Sequence, residues 1–371
     1  MRRYCRVLGG ALGAASLPFA LGCCTFSASA HQGAASGHFD GHRFANQDPV
    51  RDKGFRDFLK WQLNREAGPW SDSMDVRPGP PPPARVGRGD LRVTFVNHAT
   101  VLIQMDGLNI LTDPTWSDRS SPVSWAGPRR VRPPGIRFGD LPPIDVVLIS
   151  HDHYDHLDIP TLKRLAKERG PRFFVGLGNR QLLIENGIAD AHEIDWWQSL
   201  PVNHEVRLTS VPVQHFSGRG TCDRNETLWT GYVIEGPAGA VYFPGDTGWG
   251  RHFEQVRERF GAIRLACLPI GAFRPSWFMA PVHLSPEDAV RAHRTLGAST
   301  SMAIHFGTFP LGDDGQDEPV AHLVQALADS LVSPERFWVL GFGEGRDVPP
   351  MDEGQVAAER VSRAGALIND R

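Results

Sequence analysis

The strongest constraint on the fold of this chain is the run Val146-Val147-Leu148-Ile149-Ser150-His151-Asp152-His153-Tyr154-Asp155-His156-Leu157-Asp158. It reads as a buried-type β-strand that stops abruptly and is followed at once by three histidines and an aspartate at chelating spacings. A strand end is a rigid platform. Neutral imidazoles and carboxylates set this closely are what a borderline-soft divalent ion such as zinc prefers. A histidine-rich polar turn is the bland alternative. Against it stands the recurrence of further His and Asp residues at the ends of other apolar runs downstream.

Around this motif the chain has room for one large core or two modest ones. Its 371 residues are 41% hydrophobic and 22% charged, ordinary values for a globular protein. That balance argues against disorder and against a chain that spans a membrane as a whole. The formal net charge of −3 argues against a nucleic-acid binder that depends on a global basic field.

The N-terminus differs in texture. Arg2, Arg3 and Arg6 precede an apolar stretch from Val7 to Leu21, followed by Ser27-Ala28-Ser29-Ala30. This order predicts a secretory signal peptide over residues 1–30, cleaved after Ala30, and so a periplasmic or cell-envelope protein. Cys23 and Cys24 after Leu21-Gly22 leave open a lipoprotein signal. After cleavage only Cys222 and Cys267 remain, so a cysteine-based zinc site is excluded by count. Cys267, in the apolar run Leu265 to Ile270, reads as a buried small hydrophobe.

Residues 31–90 are polar, rich in Gly and Asp, and end near Pro78-Gly79-Pro80-Pro81-Pro82-Pro83. They read as an extended strap or linker, with one amphipathic helical stretch from Phe55 to Leu63. The body is expected over 91–345, with a C-terminal tail over 346–371. Strands are predicted at Arg92 to Val96, Thr100 to Met105, Leu108 to Thr112, Asp145 to Ser150 and Arg172 to Val175. Further strands fall at Glu205 to Val213, Leu228 to Glu235, Ala240 to Phe243, Leu265 to Pro269, Ser301 to His305 and Phe337 to Leu340. Glu205 to Val213 alternates as a half-buried strand should. Helices are predicted at Ile159 to Glu168, Asn179 to Asn186, Phe253 to Phe260, Pro286 to Leu296 and Val320 to Leu331. Runs of strands followed by mixed strand and helix suggest two packed sheets with helices outside.

Four more candidates stand at or beyond apolar runs: His215 after Val211-Pro212-Val213-Gln214, Asp246 after Phe243-Pro244-Gly245, His283 after Trp277-Phe278-Met279, and His305 after Met302-Ala303-Ile304. Strand ends fix the backbone and leave side chains free to share one mouth. Seven ligands are what two adjacent metals need when one carboxylate bridges them. The predicted assignment puts His151, His153 and His215 on a first ion, Asp155, His156 and His305 on a second, and Asp246 between them. Two divalent ions roughly 3.5 to 4 Å apart lower the pKa of a shared water and clamp a phosphoryl displacement. Hydrolysis with two zinc ions is the favoured class, with iron or manganese as alternative metals.

The His151-Asp152-His153-Tyr154-Asp155-His156 motif together with His215, Asp246 and His305 resembles the metallo-β-lactamase superfamily. Longer strings resemble its N-acyl-phosphatidylethanolamine-hydrolysing phospholipase D members: His98-Ala99-Thr100-Val101-Leu102, Leu111-Thr112-Asp113-Pro114, Phe243 to Gly248, Pro269 to Phe273, Trp277-Phe278-Met279 and Ser301 to Phe309. The resemblance implies an α/β fold: an αββα sandwich of two mixed β-sheets packed face to face, helices outside, with the dinuclear site at one edge. It implies hydrolysis of the phosphodiester joining N-acylethanolamine to phosphatidic acid, by a water shared between the metals. It also gives Asp246 a catalytic part and makes His283, beside the metals, the candidate for orienting substrate or protonating the leaving group.

A phospholipid partner follows from that resemblance, with peripheral membrane contact through Trp196, Trp197, Trp277 and Phe278 as a further expectation. No nucleic-acid partner is expected. Two other readings stand beside it. One is a lactonase or sugar-phosphate hydrolase of the same fold, for which Arg219, Arg224 and Arg274 are the basic residues to judge. The other is a non-catalytic exported metal-binding envelope protein.

Overall fold

The computed structural model describes residues 27–50 and 53–351. The basic and apolar parts of the predicted signal segment, Cys23, Cys24 and most of the C-terminal tail lie outside the described residues.

Two seven-stranded sheets form the body. The first contains β1 (Leu91–Asn97), β2 (Thr100–Met105), β3 (Leu108–Thr112), β4 (Val146–Ile149), β5 (Arg172–Gly176), β6 (Ala191–Ile194) and, at the opposite edge, β14 (Gly345–Asp347). The second contains β7 (Ser199–Pro201), β8 (Arg207–Val211), β9 (Gly231–Gly236), β10 (Gly239–Phe243), β11 (Leu265–Pro269), β12 (Thr300–Ile304) and β13 (Phe337–Trp338). Each sheet is mixed. Hairpin-type antiparallel pairs give way to parallel pairs at β3–β4 in the first and at β10–β11 in the second.

The strand that carries the motif explains the layering. Along β4 the side chains alternate between two cores: Val146 and Leu148 join the cluster between the sheets, while Val147 and Ile149 join an outer cluster. That outer cluster takes Leu162 and Leu165 of α2 (Ile159–Glu168) and Leu183 of α3 (Asn179–Glu185). On the far side, Phe253 and Val256 of α4 (His252–Phe260), Val290 and Leu296 of α6 (Pro286–Leu296) and Leu323 and Leu327 of α7 (Glu318–Asp329) pack with the inter-sheet cluster. A strand covered on both faces must be apolar throughout. Hence the αββα order. The short α5 (Ser276–Met279) and the N-terminal α1 (Phe55–Leu63) lie outside these layers. No helix among the described residues is long and apolar enough to cross a membrane.

The structure corrects several sequence-based boundaries. The strand expected over Glu205 to Val213 is β8, and it is not half-buried: Leu208, Thr209, Ser210 and Val211 are all buried. Its hydroxyls are covered because Thr209 meets Ser199 Oγ at 2.7 Å and Ser210 meets Thr230 Oγ1 at 2.5 Å. The run from Leu228 enters β9 only at Gly231. Leu228 and Trp229 instead join a third cluster with Phe39, Phe44 and Trp196. The final strand, β14, pairs with β1 through Arg346 and Asp347, so the body continues two residues into the expected tail.

The described residues of the 31–90 segment are held against the body. Phe39 and Phe44 are buried with their ring centroids 4.5 Å apart. The strap also supplies Arg65 to Asp313 at 2.9 Å and the Trp70 indole N–H to the Asp314 carbonyl at 2.8 Å. Pro83 and Ala84 lend their carbonyls to Gln104 and Asn109, which are buried.

Candidate metal centre

Every group of the candidate centre sits just past a strand end or in a tight turn. The carboxyl end of β4 delivers His151 to His156; the chain after β8 delivers His215; β10 leads through Pro244-Gly245 to Asp246; β12 leads directly to His305. In α/β sheets the carboxyl ends of parallel strands are where binding sites collect. Gly245, at φ +63°, allows the turn, and a Cβ there would lie 2.3 Å from the Ser150 Cβ, so the two strand ends can approach only through a glycine. His98, Asp113 and His305 hold φ values of +45°, +33° and +61°. Such conformations are strained for non-glycine residues and persist where the surrounding structure over-determines them.

All eight residues proposed from sequence come together. The potential ligand atoms of His151, His153 and His215 lie within 4.8 Å of one another, as do those of His151, His156 and Asp246, and those of His215, Asp246 and His283. Asp155, His156 and His305 form a further group, joined by His98. Asp246 is central. Its Oδ2 lies 3.0 Å from His305 Nε2, 3.3 Å from His156 Nε2, 3.7 Å from His283 Nδ1 and 3.9 Å from His215 Nε2.

The partners of the other ring nitrogens fix which atom faces inward. His156 donates Nδ1–H to Asp113 Oδ2 at 2.6 Å, leaving Nε2 toward Asp155 and Asp246. Ser150 Oγ donates to the same carboxylate oxygen at 2.6 Å, so it receives Nδ1–H of His151 at 2.9 Å, and His151 Nε2 points to His153 Nδ1. His215 donates Nδ1–H to the Val282 carbonyl at 2.8 Å and turns Nε2 to the centre. Asp152, inside the motif, points away. Its two oxygens accept from the Gly218 N–H and the Thr227 hydroxyl.

The residues fit a divalent metal. His156 Nε2, Asp246 Oδ1, His283 Nδ1 and both ring nitrogens of His305 are buried without a hydrogen-bond partner. Orphaned polar atoms of this kind carry a desolvation cost that coordination removes. Electrostatics agrees. Burial alone opposes ionisation of Asp155 and Asp246, but the neighbouring His156 and His305 outweigh it and hold both carboxyls well below the usual range. The same carboxylates overcome burial to draw a proton onto His156 and raise His305 to about 9. The cluster therefore attracts positive charge to its middle, and a dication supplies it more completely than protons do. Burial keeps His151 and His215 neutral and lowers His153 and His283 to about 4, the form in which imidazole coordinates.

Two residues at the centre carry no role in the sequence reading. His98 Nε2 lies 2.9 Å from Asp155 Oδ2, and its ring centroid is 4.0 Å from that of His305. Asp113 holds His156 and Ser150. Both stand within the strings that carry the family resemblance, yet nothing in their spacing assigns them a partner. Conversely, Trp196 is buried in the third cluster and stacks on His38, while Trp197 packs on the core and stays partly exposed. Trp277 is exposed and Phe278 partly so.

Residues 108–306 match the family model described as a beta-lactamase superfamily domain. An uncharacterised protein of Mycobacterium tuberculosis is 38% identical over 321 residues, covering 83% of this chain and 84% of that protein. The N-acyl-phosphatidylethanolamine-hydrolyzing phospholipase D 1 of Caenorhabditis elegans is 40% identical over 232 residues, 60% of this chain and 65% of that one. Among solved structures, a metallo hydrolase from the archaeon Ignicoccus hospitalis superposes with a TM-score of 0.53 at 20% identity, covering 71% of this chain and 100% of that one. That likeness concerns the fold.

Proposed function

The chain belongs to the beta-lactamase superfamily, and on that premise we propose that it is a phospholipase D-type phosphodiesterase. Its proposed substrates are N-acyl-phosphatidylethanolamine-like lipids, released as N-acylethanolamine and phosphatidic acid. That the chain is a metal-dependent hydrolase rests on the family and on the His/Asp cluster. The observation that supports the finer reading is the position of Asp246, whose Oδ2 lies 3.0 and 3.3 Å from His305 and His156 and 3.9 Å from His215, in a chain 40% identical over 232 residues to a phospholipase D of that specificity.

In this reading His151, His153 and His215 would hold one ion and Asp155, His156 and His305 the other, with Asp246 within reach of both sets. Zinc suits the imidazole-rich, thiolate-free set, with iron or manganese as alternatives. When bound, such a pair lowers the pKa of water and neutralises charge gathering on the phosphate oxygens. The chain's own residues supply orientation. Asp113, Ser150 and the Val282 carbonyl fix three imidazoles in the tautomer that faces inward. His283 stands at the centre's more open side, its Nδ1 without a protein partner. Burial favours its neutral form, and added positive charge nearby pushes the same way. It therefore suits hydrogen bonding to a substrate or leaving-group oxygen better than delivering a proton.

The lactonase or sugar-phosphate alternative needs a basic cradle. Arg219 donates to the carbonyls of Asp152 and Leu157 and lies over the Tyr154 ring, Arg274 pairs with Glu318 at 2.7 Å, and Arg224 lies over Phe216. Each is thus engaged by its own neighbours. A non-catalytic envelope role gives way to the hydrolase assignment. Export to the periplasm or envelope, soluble or anchored at Cys23 or Cys24, is supported by the residue order at the N-terminus.

Incubating the protein with a mixed lipid extract and following N-acylethanolamine by mass spectrometry tests the substrate. Release is expected, together with about two zinc ions per chain by elemental analysis. Silence on lipids beside turnover of a generic phosphodiester would reject the lipid specificity while leaving the hydrolase.

A further inference from the structure

We propose that α1 is a membrane-docking helix that seats the His283 side of the centre on a bilayer carrying anionic headgroups. Its purpose rests on the lipid-substrate reading above, whereas its physical basis is independent of it.

Surface helices ordinarily turn their apolar stripe inward. The reverse holds for α1. Phe55 (77% exposed), Phe58 (45%), Leu59 (44%) and Leu63 (76%) lie at helical spacing on one face and meet water, while Trp61 (7%) alone is buried. Such a face marks an interaction surface rather than scattered exposed residues.

The charges around the face identify what covers it. At about 100° per residue, Arg56 and Lys60 follow on the edge of the apolar stripe. Lys60 Nζ lies 4.8 Å and Lys53 Nζ 5.5 Å from the ring centroid of Trp277, itself 40% exposed. Aromatic and aliphatic tips fringed by cations, with a tryptophan among them, match the boundary between acyl chains and anionic headgroups. A second copy of the chain fits less well. A two-fold contact through this face would bring together two copies of the same cation-fringed patch, with no opposite charge supplied by the partner.

The helix is also wired to the centre. Trp61 stacks on Phe278 at 5.0 Å. From there the segment 276–283 runs through the Met279 carbonyl, which accepts the N–H groups of Val282 and His283, to the Val282 carbonyl that orients His215. A bilayer bound by α1 therefore lies beside the segment that carries His283.

The test uses the full chain and sedimentation with phosphatidylcholine/phosphatidylglycerol vesicles that contain no N-acylated lipid. The protein is expected to partition onto these vesicles, less so onto pure phosphatidylcholine. The combined Phe55→Ser, Phe58→Ser and Leu63→Ser variant is expected to lose partitioning about tenfold or more, with an unchanged thermal midpoint reporting an intact body. Leu331→Ser, which removes a leucine 93% exposed at the C-terminal end of α7, is expected to bind as the parent does. Equal partitioning of the triple variant, absence of binding by the parent, or a parent dimer that the triple variant dissolves would each overturn docking. Vesicle binding without N-acylethanolamine release would reject the substrate and leave the docking standing.

Discussion

At the scale of single residues, the centre separates groups that hold charge from groups that aim them. Asp246 is surrounded by four imidazoles, so Asp246→Asn removes the central negative charge while keeping the side chain's size. Hydrolysis is expected to fall on the order of a thousandfold in a protein whose circular dichroism still reports the native fold; near-parental turnover would reject a central role. Asp113→Asn acts one shell further out. Asp113 Oδ2 accepts from both His156 and Ser150 and Oδ1 from the Ser150 N–H, at 2.6, 2.6 and 2.8 Å. An amide has a single acceptor oxygen and would aim N–H groups at another donor. Metal affinity by chelator competition is expected to drop about 10- to 100-fold, and a change within measurement error would reject the orienting role. The clustered His and Asp positions are legible in the sequence because chelation needs particular residue types at strand ends, and the apolar runs announce those ends. The positions of Asp113 and His98 are not, because each acts through a partner 43 and 57 residues away, and only the packed sheets bring them close.

At the scale of elements, local pattern sufficed where an element owes its existence to its own residues. β2, β3, α1, α2, β11 and α6 fall where periodicity and caps place them. For α6 the reason is visible: Ser285 caps the Asp288 N–H, Pro286 occupies the first turn, and Gly297 ends it at φ +58°. β6, β7 and β14 escaped because three or four residues with no sustained apolar run become strands only by pairing with a neighbour. The strap shows the same dependence. Asn46 donates to the His215 carbonyl at 2.8 Å and accepts from the His215 N–H and the Trp229 indole at 3.1 and 3.0 Å, so a residue far upstream clamps the backbone of a candidate ligand. Asn46→Ala leaves the His215 N–H and carbonyl unsatisfied, while the Trp229 indole keeps the Val213 carbonyl at 3.1 Å. A loss of about 1 to 3 kcal/mol is expected, read as a lower thermal midpoint and a weaker metal affinity, and parental values for both would mean the clamp is idle.

For the molecule as a whole, the tight layering that builds the centre also buries histidines outside it, and these link stability to pH. His293, on α6, is lowered to about 4 by burial, with Arg336 and Arg294 acting in the same direction, and its Nδ1 meets Ser301 Oγ at 2.8 Å. His252, on α4, is lowered to about 3 by burial. In the unfolded chain both take up protons near pH 6.5. As pH falls below that value the unfolded state gains protons that the folded state refuses, so stability is complete above about pH 6.5 and declines toward pH 4. For His293 the loss is on the order of 3 kcal/mol. Protonation of the centre's own ligands destabilises over the same range, so a single acid titration cannot separate the two. The comparison with His293→Gln can, because glutamine retains a hydrogen-bonding group toward Ser301 and does not titrate, while the centre is common to both proteins. Urea unfolding of the metal-free proteins is expected to show the parent falling more steeply from pH 7 to pH 4, with the two stabilities converging or crossing. Parallel curves would mean that His293 is free to protonate in the folded state and that the outer helical layer is looser than its packing implies.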